Sequence, residues 1–218
     1  LKQGANHIRM NKLETINKTE TINNTKPPDK EENNDNEKNI EKALTYAKSL
    51  IGIPYRWYDE STELVAPNDK FYYAAESTLS RDEIITADKS IVCAGLINLM
   101  RRKLSLSIPK YGAYPGGTVA WYKYLKSNNR LQKLSSTDED IHDFPIGTLL
   151  LKKYQNEVEQ GHLAVIIDSK LIIHAYAYTD IPYALRHKYK NHGCVGISAC
   201  DLSYFTHSCL PENWLIVD

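Results

Sequence analysis

Gly161-His162-Leu163-Ala164-Val165-Ile166-Ile167, followed after Asp168-Ser169-Lys170 by Leu171-Ile172-Ile173-His174, is the stretch on which the fold turns. Two short aliphatic and β-branched runs separated by turn residues read as an antiparallel hairpin. His162 and His174 lie 174 − 162 = 12 residues apart, an even number. With an odd-length turn, at Ile167 to Ser169 or Asp168 to Lys170, that separation places both imidazoles on one sheet face; a two-residue turn places them on opposite faces. The sequence leaves the turn length open.

Outward from the hairpin, Gly147 to Leu151, Val195 to Ala199 and Trp214 to Val217 are further short alternating or β-branched runs, each read as a strand. Upstream the period changes. Ile40, Ala43, Leu44, Ala47 and Leu50 recur at helical spacing, and Gly52 and Pro54 close that helix. From Ile91 to Leu104, Cys93, Leu96, Ile97, Met100 and Leu104 make one helical face, with Ser90 or Asp88 as the expected cap. Thr118 to Lys126 reads as a third, shorter helix after Pro115-Gly116-Gly117. Helices first and strands afterwards predict an α+β domain, its N-terminal helices packed on an antiparallel sheet of about five strands.

The 218 residues, 42% of them hydrophobic, suffice for one domain with a real core and a tail. Residues 1–39 are rich in Asn, Lys, Glu and Thr, with a near-duplication from Glu14 to Thr25, and read as a disordered arm. Met10 reads as a start residue with Leu1 to Arg9 added upstream. The folded domain is expected over 40–218, carrying a polar insertion at about 59–90 of the length typical of lids. A formal net charge of zero argues against nucleic acid or an anionic membrane as partner. No apolar run reaches the ~18 residues of a membrane span, and Leu1 to Met10 lacks the build of a secretory signal. The chain reads as soluble, with cytoplasm and virion both open as its location and no signal for an oligomeric state. Cysteines at 93, 194, 200 and 209 form no C-x-x-C pair, and the cluster His192, Cys194, Cys200, His207, Cys209 fits no compact zinc spacing. No disulfide framework, metal or cofactor is expected.

Cys93, at the first turn of its helix, has unpaired backbone N–H groups and the positive end of the dipole beside it, an arrangement expected to favour thiolate. Taken singly, a cysteine on an apolar helix face is ordinarily a buried residue, and a strand histidine ordinarily a structural one. Together with two imidazoles on one hairpin, the thiol forms a nucleophile, a base (His162) and a group orienting that base (His174), with the Cys93 N–H as a donor to an oxyanion.

Ile51-Gly52-Ile53-Pro54-Tyr55, Cys93-Ala94-Gly95-Leu96, Ile108-Pro109, Pro145-Ile146-Gly147-Thr148, Gly161-His162-Leu163-Ala164-Val165 and Ile173-His174-Ala175 occur in an order that resembles the NlpC/P60 superfamily of papain-like cysteine hydrolases. The resemblance covers about residues 40–178. It implies Cys93 as nucleophile, His162 as base, His174 as third member and Tyr55 as a phenol near the oxyanion, with Gln160 a polar neighbour of the cleft. It further implies a cofactor-free thiol hydrolase, a peptidase or amidase acting through a thioester on a peptide or peptidoglycan-like stem. Val92, Ala94 and Thr148 depart from the family's usual Asp, Ser and Asp, which puts the peptidoglycan substrate in question. A lipid or ester acyl hydrolase, and a binding or virion-structural protein on an inactive scaffold, are the alternatives. The segment Tyr111 to Leu125 and the end Leu210 to Leu215 look like a divergent eukaryotic or large-virus branch.

Overall fold

The structure, a computed structural model, describes residues 30–55, 80–86, 90–110, 116–135, 140–156, 161–177 and 193–215. Its first helix, α1 (Lys30–Ser49), begins well before Ile40, where the apolar pattern starts. Its C-terminal half buries Ala43, Leu44, Tyr46, Ala47 and Leu50. The chain then turns at Gly52, whose φ of +87° is a left-handed conformation that favours glycine. Beyond the turn, Gly52 N–H donates to Val195 O and Tyr55 N–H to Gly193 O, so residues 52–55 lie along the edge of the last long strand.

Part of the expected surface insertion is docked on the domain. Helix α2 (Arg81–Thr86) buries Ile84 completely, and Arg81 donates to the carbonyls of Ser49 and Ile51. Ser80 and Glu83 cap its start reciprocally. Residues 59–79 and 87–89 of that insertion lie outside the described residues.

Helix α3 (Cys93–Lys103) is buried from Cys93 through Arg101. The N-cap position is Val92, which makes no side-chain cap; the expected cap residue Ser90 lies two residues further upstream, and Asp88 is outside the described residues. Two polar side chains inside this helix fix its surroundings. Asn98 donates to Gly116 O (3.0 Å) and accepts from Trp121 Nε1 (2.8 Å), which ties α3 to α4 (Thr118–Ser127). Arg101, fully buried, donates to Ser107 O and Trp214 O, each at 2.6 Å, so its charge faces carbonyls instead of bare hydrocarbon.

The sheet has six antiparallel strands: β1 (Gln132–Lys133), β2 (Leu149–Lys152), β3 (His162–Asp168), β4 (Leu171–Ala177), β5 (Gly193–Ala199) and β6 (His207–Cys209), in the order β1-β6-β2-β3-β4-β5. The α+β class is as expected, with β1 and β6 in addition to the strands read from the sequence. Trp214 is not in a strand: Pro211–Trp214 is a short helix, α5, started by Pro211 and held by the Trp214 Nε1 donation to Gly147 O (2.8 Å). Leu149, Leu151, Leu163, Val165, Ile173 and Val195 point to the helices and join the main core. The other face carries a smaller cluster of Leu150, Ala164, Ile166 and Ile172 under Ile141 and Phe205.

Candidate active site

Which sheet face each histidine occupies is set by the β3–β4 register. Val165 pairs with Ile173, Ile166 with Ile172, and Asp168 with Leu171, so Ile167 is the extra residue of a β-bulge and only Ser169 and Lys170 form the turn. A two-residue turn alone separates the rings; the bulge restores the parity. Residues 162, 164 and 166 therefore share a face with 172, 174 and 176, and His162 meets His174 there.

The two imidazoles are hydrogen-bonded, His162 Nε2 to His174 Nδ1 at 2.8 Å. The second nitrogen of His174 reaches Ser198 Oγ at 3.0 Å. This row has a direction. If His162 Nδ1 is to accept a proton, its Nε2 carries hydrogen and donates to His174 Nδ1, and His174 Nε2–H donates to Ser198. His174 is positioned by its neighbours on β4 and β5. It pairs with Gly196, Tyr176 stacks on its ring (4.4 Å between centroids, 22° between planes), and a Cβ at Gly196 would stand 3.1 Å from the Tyr176 ring. On the outer side, His162 packs against Phe205 and Tyr204.

Cys93 approaches from the opposite side of the sheet. Ile166 exchanges hydrogen bonds with the β2 side, donating to Thr148 O and accepting from Gly147 N–H. Alternation along the strand then turns the N–H of Leu163 toward β4. The paired part of β3–β4 runs only from Val165 to Asp168, and past it the Leu163 N–H faces the Cys93 sulfur. The sulfur thus sits where the two strands part, one residue along the chain from His162.

Electrostatically the site rests neutral, against the expectation of a thiolate. Burial pushes the Cys93 thiol up to about 11, although the N–H groups of Ala94, Leu163 and Cys93 itself pull the other way. Cys93 is 5% exposed, and loss of hydration outweighs the helix N-terminus. Burial also drives His162 down to about 3, with His174 and the Lys152 ammonium adding to the fall, and His174 down to about 4.

Tyr55 is held by its backbone at the end of β5, and Pro54 O accepts from Ile91 N–H (2.9 Å) just upstream of α3, while the Tyr55 ring packs against the main core. Gln160 lies outside the described residues. All four cysteines are free thiols, and among the described residues no three His, Cys, Asp or Glu gather as metal ligands. Ser198, Tyr176, Gly196, Lys152 and Tyr204 border the histidines, and sequence reasoning singled out none of them. Only Ser198 had a legible signal, its place on the strand beside the hairpin.

No model of a known protein family matches the sequence, and no curated protein matches it. Solved structures do. The peptidoglycan hydrolase RipB from Mycobacterium tuberculosis aligns at 13% identity and a TM-score of 0.45, over 82% of this chain and 67% of its own. The P60 domains of two M. avium paratuberculosis antigens align at 12% and 16% identity, with TM-scores of 0.46 and 0.45, over 82% and 81% of this chain and 97% and 96% of theirs. The chain is structurally similar to P60-domain proteins. Identities this low assign neither a substrate nor site residues.

Proposed function

We propose that this chain is a cysteine hydrolase of NlpC/P60 type, cleaving an amide in a peptide or peptidoglycan-like stem. The reading is supported by the hydrogen-bonded row His162–His174–Ser198 and by a thiol at a helix start whose sulfur meets the N–H of Leu163, the residue after His162. In this mechanism the Cys93 sulfur attacks the substrate carbonyl carbon as its proton passes to His162 Nδ1. The oxyanion accepts from the Cys93 N–H, with Tyr55 as second donor. Collapse expels the amine, which takes the proton from His162, and leaves a thioester. Water, deprotonated by His162, then attacks the thioester, releasing the acid and the thiol. Because thiol and imidazoles are neutral at rest, proton transfer accompanies attack and no ion pair stands ready beforehand. Among the described residues no helix is long and apolar enough to cross a membrane.

The test is incubation with stem peptides, unrelated peptides and acylated lipids, with mass detection of a thioester at Cys93. Turnover lost in Cys93→Ala supports the reading, and turnover retained in that variant contradicts it. Preference for acyl lipids would move the substrate to the ester and lipid branch. The near-complete burial of Cys93 favours a second reading, a binding or virion-structural protein on an inactive scaffold. That reading requires Cys93 to stay unmodified with every substrate class.

A further inference from the structure

The far edge of the sheet carries a group of cations that the hydrolase reading does not use. His207 on β6 pairs with Lys133 on β1 and with Leu151 on β2; Leu151 points to the helices, so His207 and Lys133 project to that side as well. There the Tyr122 ring of α4 meets them. Its centroid lies 5.3 Å from that of the His207 ring, 5.1 Å from the Lys153 ammonium and 5.6 Å from that of Lys126. Lys126, Lys133 and Lys153 are exposed, whereas His207 and Tyr122 are half-buried. Among the described residues no carboxylate pairs with these lysines, and the charges that act on His207 are theirs. Like charges gathered without a counter-charge repel one another, and a bound anion relieves that repulsion. The group is separate from the histidine row, which lies on the other face, and β6 is two strands from β3 on the side away from β4, about 10 Å at the usual strand spacing.

The His207 ring is already oriented. Thr206 Oγ1 donates to Leu151 O (3.0 Å) and accepts from the Lys153 N–H (3.0 Å), which leaves it to accept from His207 Nδ1–H at 2.8 Å. The ring's free electron pair is therefore on Nε2, which has no hydrogen-bond partner among the described residues. Burial lowers the ring's affinity for a proton, and Lys153, Lys133 and Lys126 lower it further. Neutral in the empty site, His207 becomes a further cation and a donor once an anion offsets the lysines. We infer that Tyr122, Lys126, Lys133, Lys153 and His207 form a binding site for a compact, multiply charged phosphate group, a phosphomonoester or pyrophosphate on a small solute. Lysine meets phosphate oxygens as a point charge. The Tyr122 ring is occupied by ammoniums instead of lying open to a stacking base, and the cations gather at one ring instead of spacing out along a groove. Both features favour a compact anion over a nucleic-acid strand. The site stands whether or not Cys93 is a nucleophile.

Titration calorimetry of the full chain with pyrophosphate measures affinity and stoichiometry, and the imidazole NMR signal of His207, assigned by its loss in His207→Gln, follows protonation. One pyrophosphate should bind per chain. Affinity should fall about fivefold in Lys153→Gln, the scale of one exposed charge contact, and below detection in Lys126→Gln/Lys133→Gln/Lys153→Gln, and it should weaken in high salt. Binding should raise the pH at which His207 titrates, and His207→Gln, which keeps a donor toward Thr206, should abolish the proton uptake linked to binding. Lys170→Gln, at the β3–β4 turn, should bind as wild type does. Thermal unfolding of each variant checks that the fold is retained. Absence of saturable binding by wild type at millimolar pyrophosphate, unchanged affinity in the triple variant, or equal weakening in Lys170→Gln overturns the site, the last because it would reveal only diffuse surface charge. A single-stranded oligonucleotide that binds and is not displaced by pyrophosphate overturns it in favour of an extended polyanion.

Discussion

Acidification from pH 7 to pH 5 should cost this fold far more stability than it costs a variant lacking the histidine pair. Both rings are neutral in the folded state, with His162 down at about 3 and His174 at about 4, whereas in the unfolded chain each titrates near ~6.5. Between those values the unfolded chain binds more protons than the folded one, so stability is fully present above about pH 6.5 and drains away as pH falls. Integrated from pH 7 to pH 5, one such ring contributes about 2 kcal/mol and the pair about 3 to 4 kcal/mol, a large part of an ordinary domain's stability. Urea unfolding at both pH values, in wild type and His162→Gln/His174→Gln, isolates the contribution, since surface carboxylates titrate alike in the two proteins. The variant should lose about 3 to 4 kcal/mol less than wild type. Equal losses would mean that the rings titrate normally and are not held neutral.

Three further outcomes follow from the contacts. Ser198→Ala removes the acceptor for His174 Nε2–H and should slow Cys93 alkylation about fivefold, the factor for one hydrogen bond of about 1 kcal/mol, while Ser198→Thr keeps the rate. Gly196→Val drives side-chain atoms into the Tyr176 ring stacked on His174 and should cost about 1 to 3 kcal/mol in urea unfolding, along with the alkylation rate. Arg101→Met leaves Trp214 O and Ser107 O without their donor and should destabilise by about 2 to 4 kcal/mol, read from the urea midpoint at constant slope.

What the sequence discloses and what it conceals both trace to how local the causes are. The periodic runs around Cys93 and Thr118 became helices with nearly the expected bounds, because one apolar face was enough to define each. The hairpin was visible, but its parity was not: the bulge at Ile167 depends on packing of the whole sheet. Trp214 looked strand-like by composition, yet Pro211 and the bond to Gly147 O make it helical. The polar start of α1 carries no apolar face and reads as coil. In the site, Cys93, His162 and His174 stood out by residue type. Ser198 and Lys152 are ordinary polar strand residues until β2 and β5 are aligned beside the hairpin. The resting protonation also escaped the sequence, since the helix start favours thiolate and only the depth of burial reverses it.

The pH dependence of Cys93 alkylation by iodoacetamide, in wild type and His162→Ala, bears most directly on whether this thiol and these imidazoles act as one unit. With both rings neutral down to about pH 5, His162 can take the thiol proton throughout, so the wild-type rate should change by no more than about twofold from pH 8 to pH 5. In His162→Ala it should fall about tenfold with each unit, as for an unassisted thiol. A wild-type rate that falls in parallel with the variant would contradict the account.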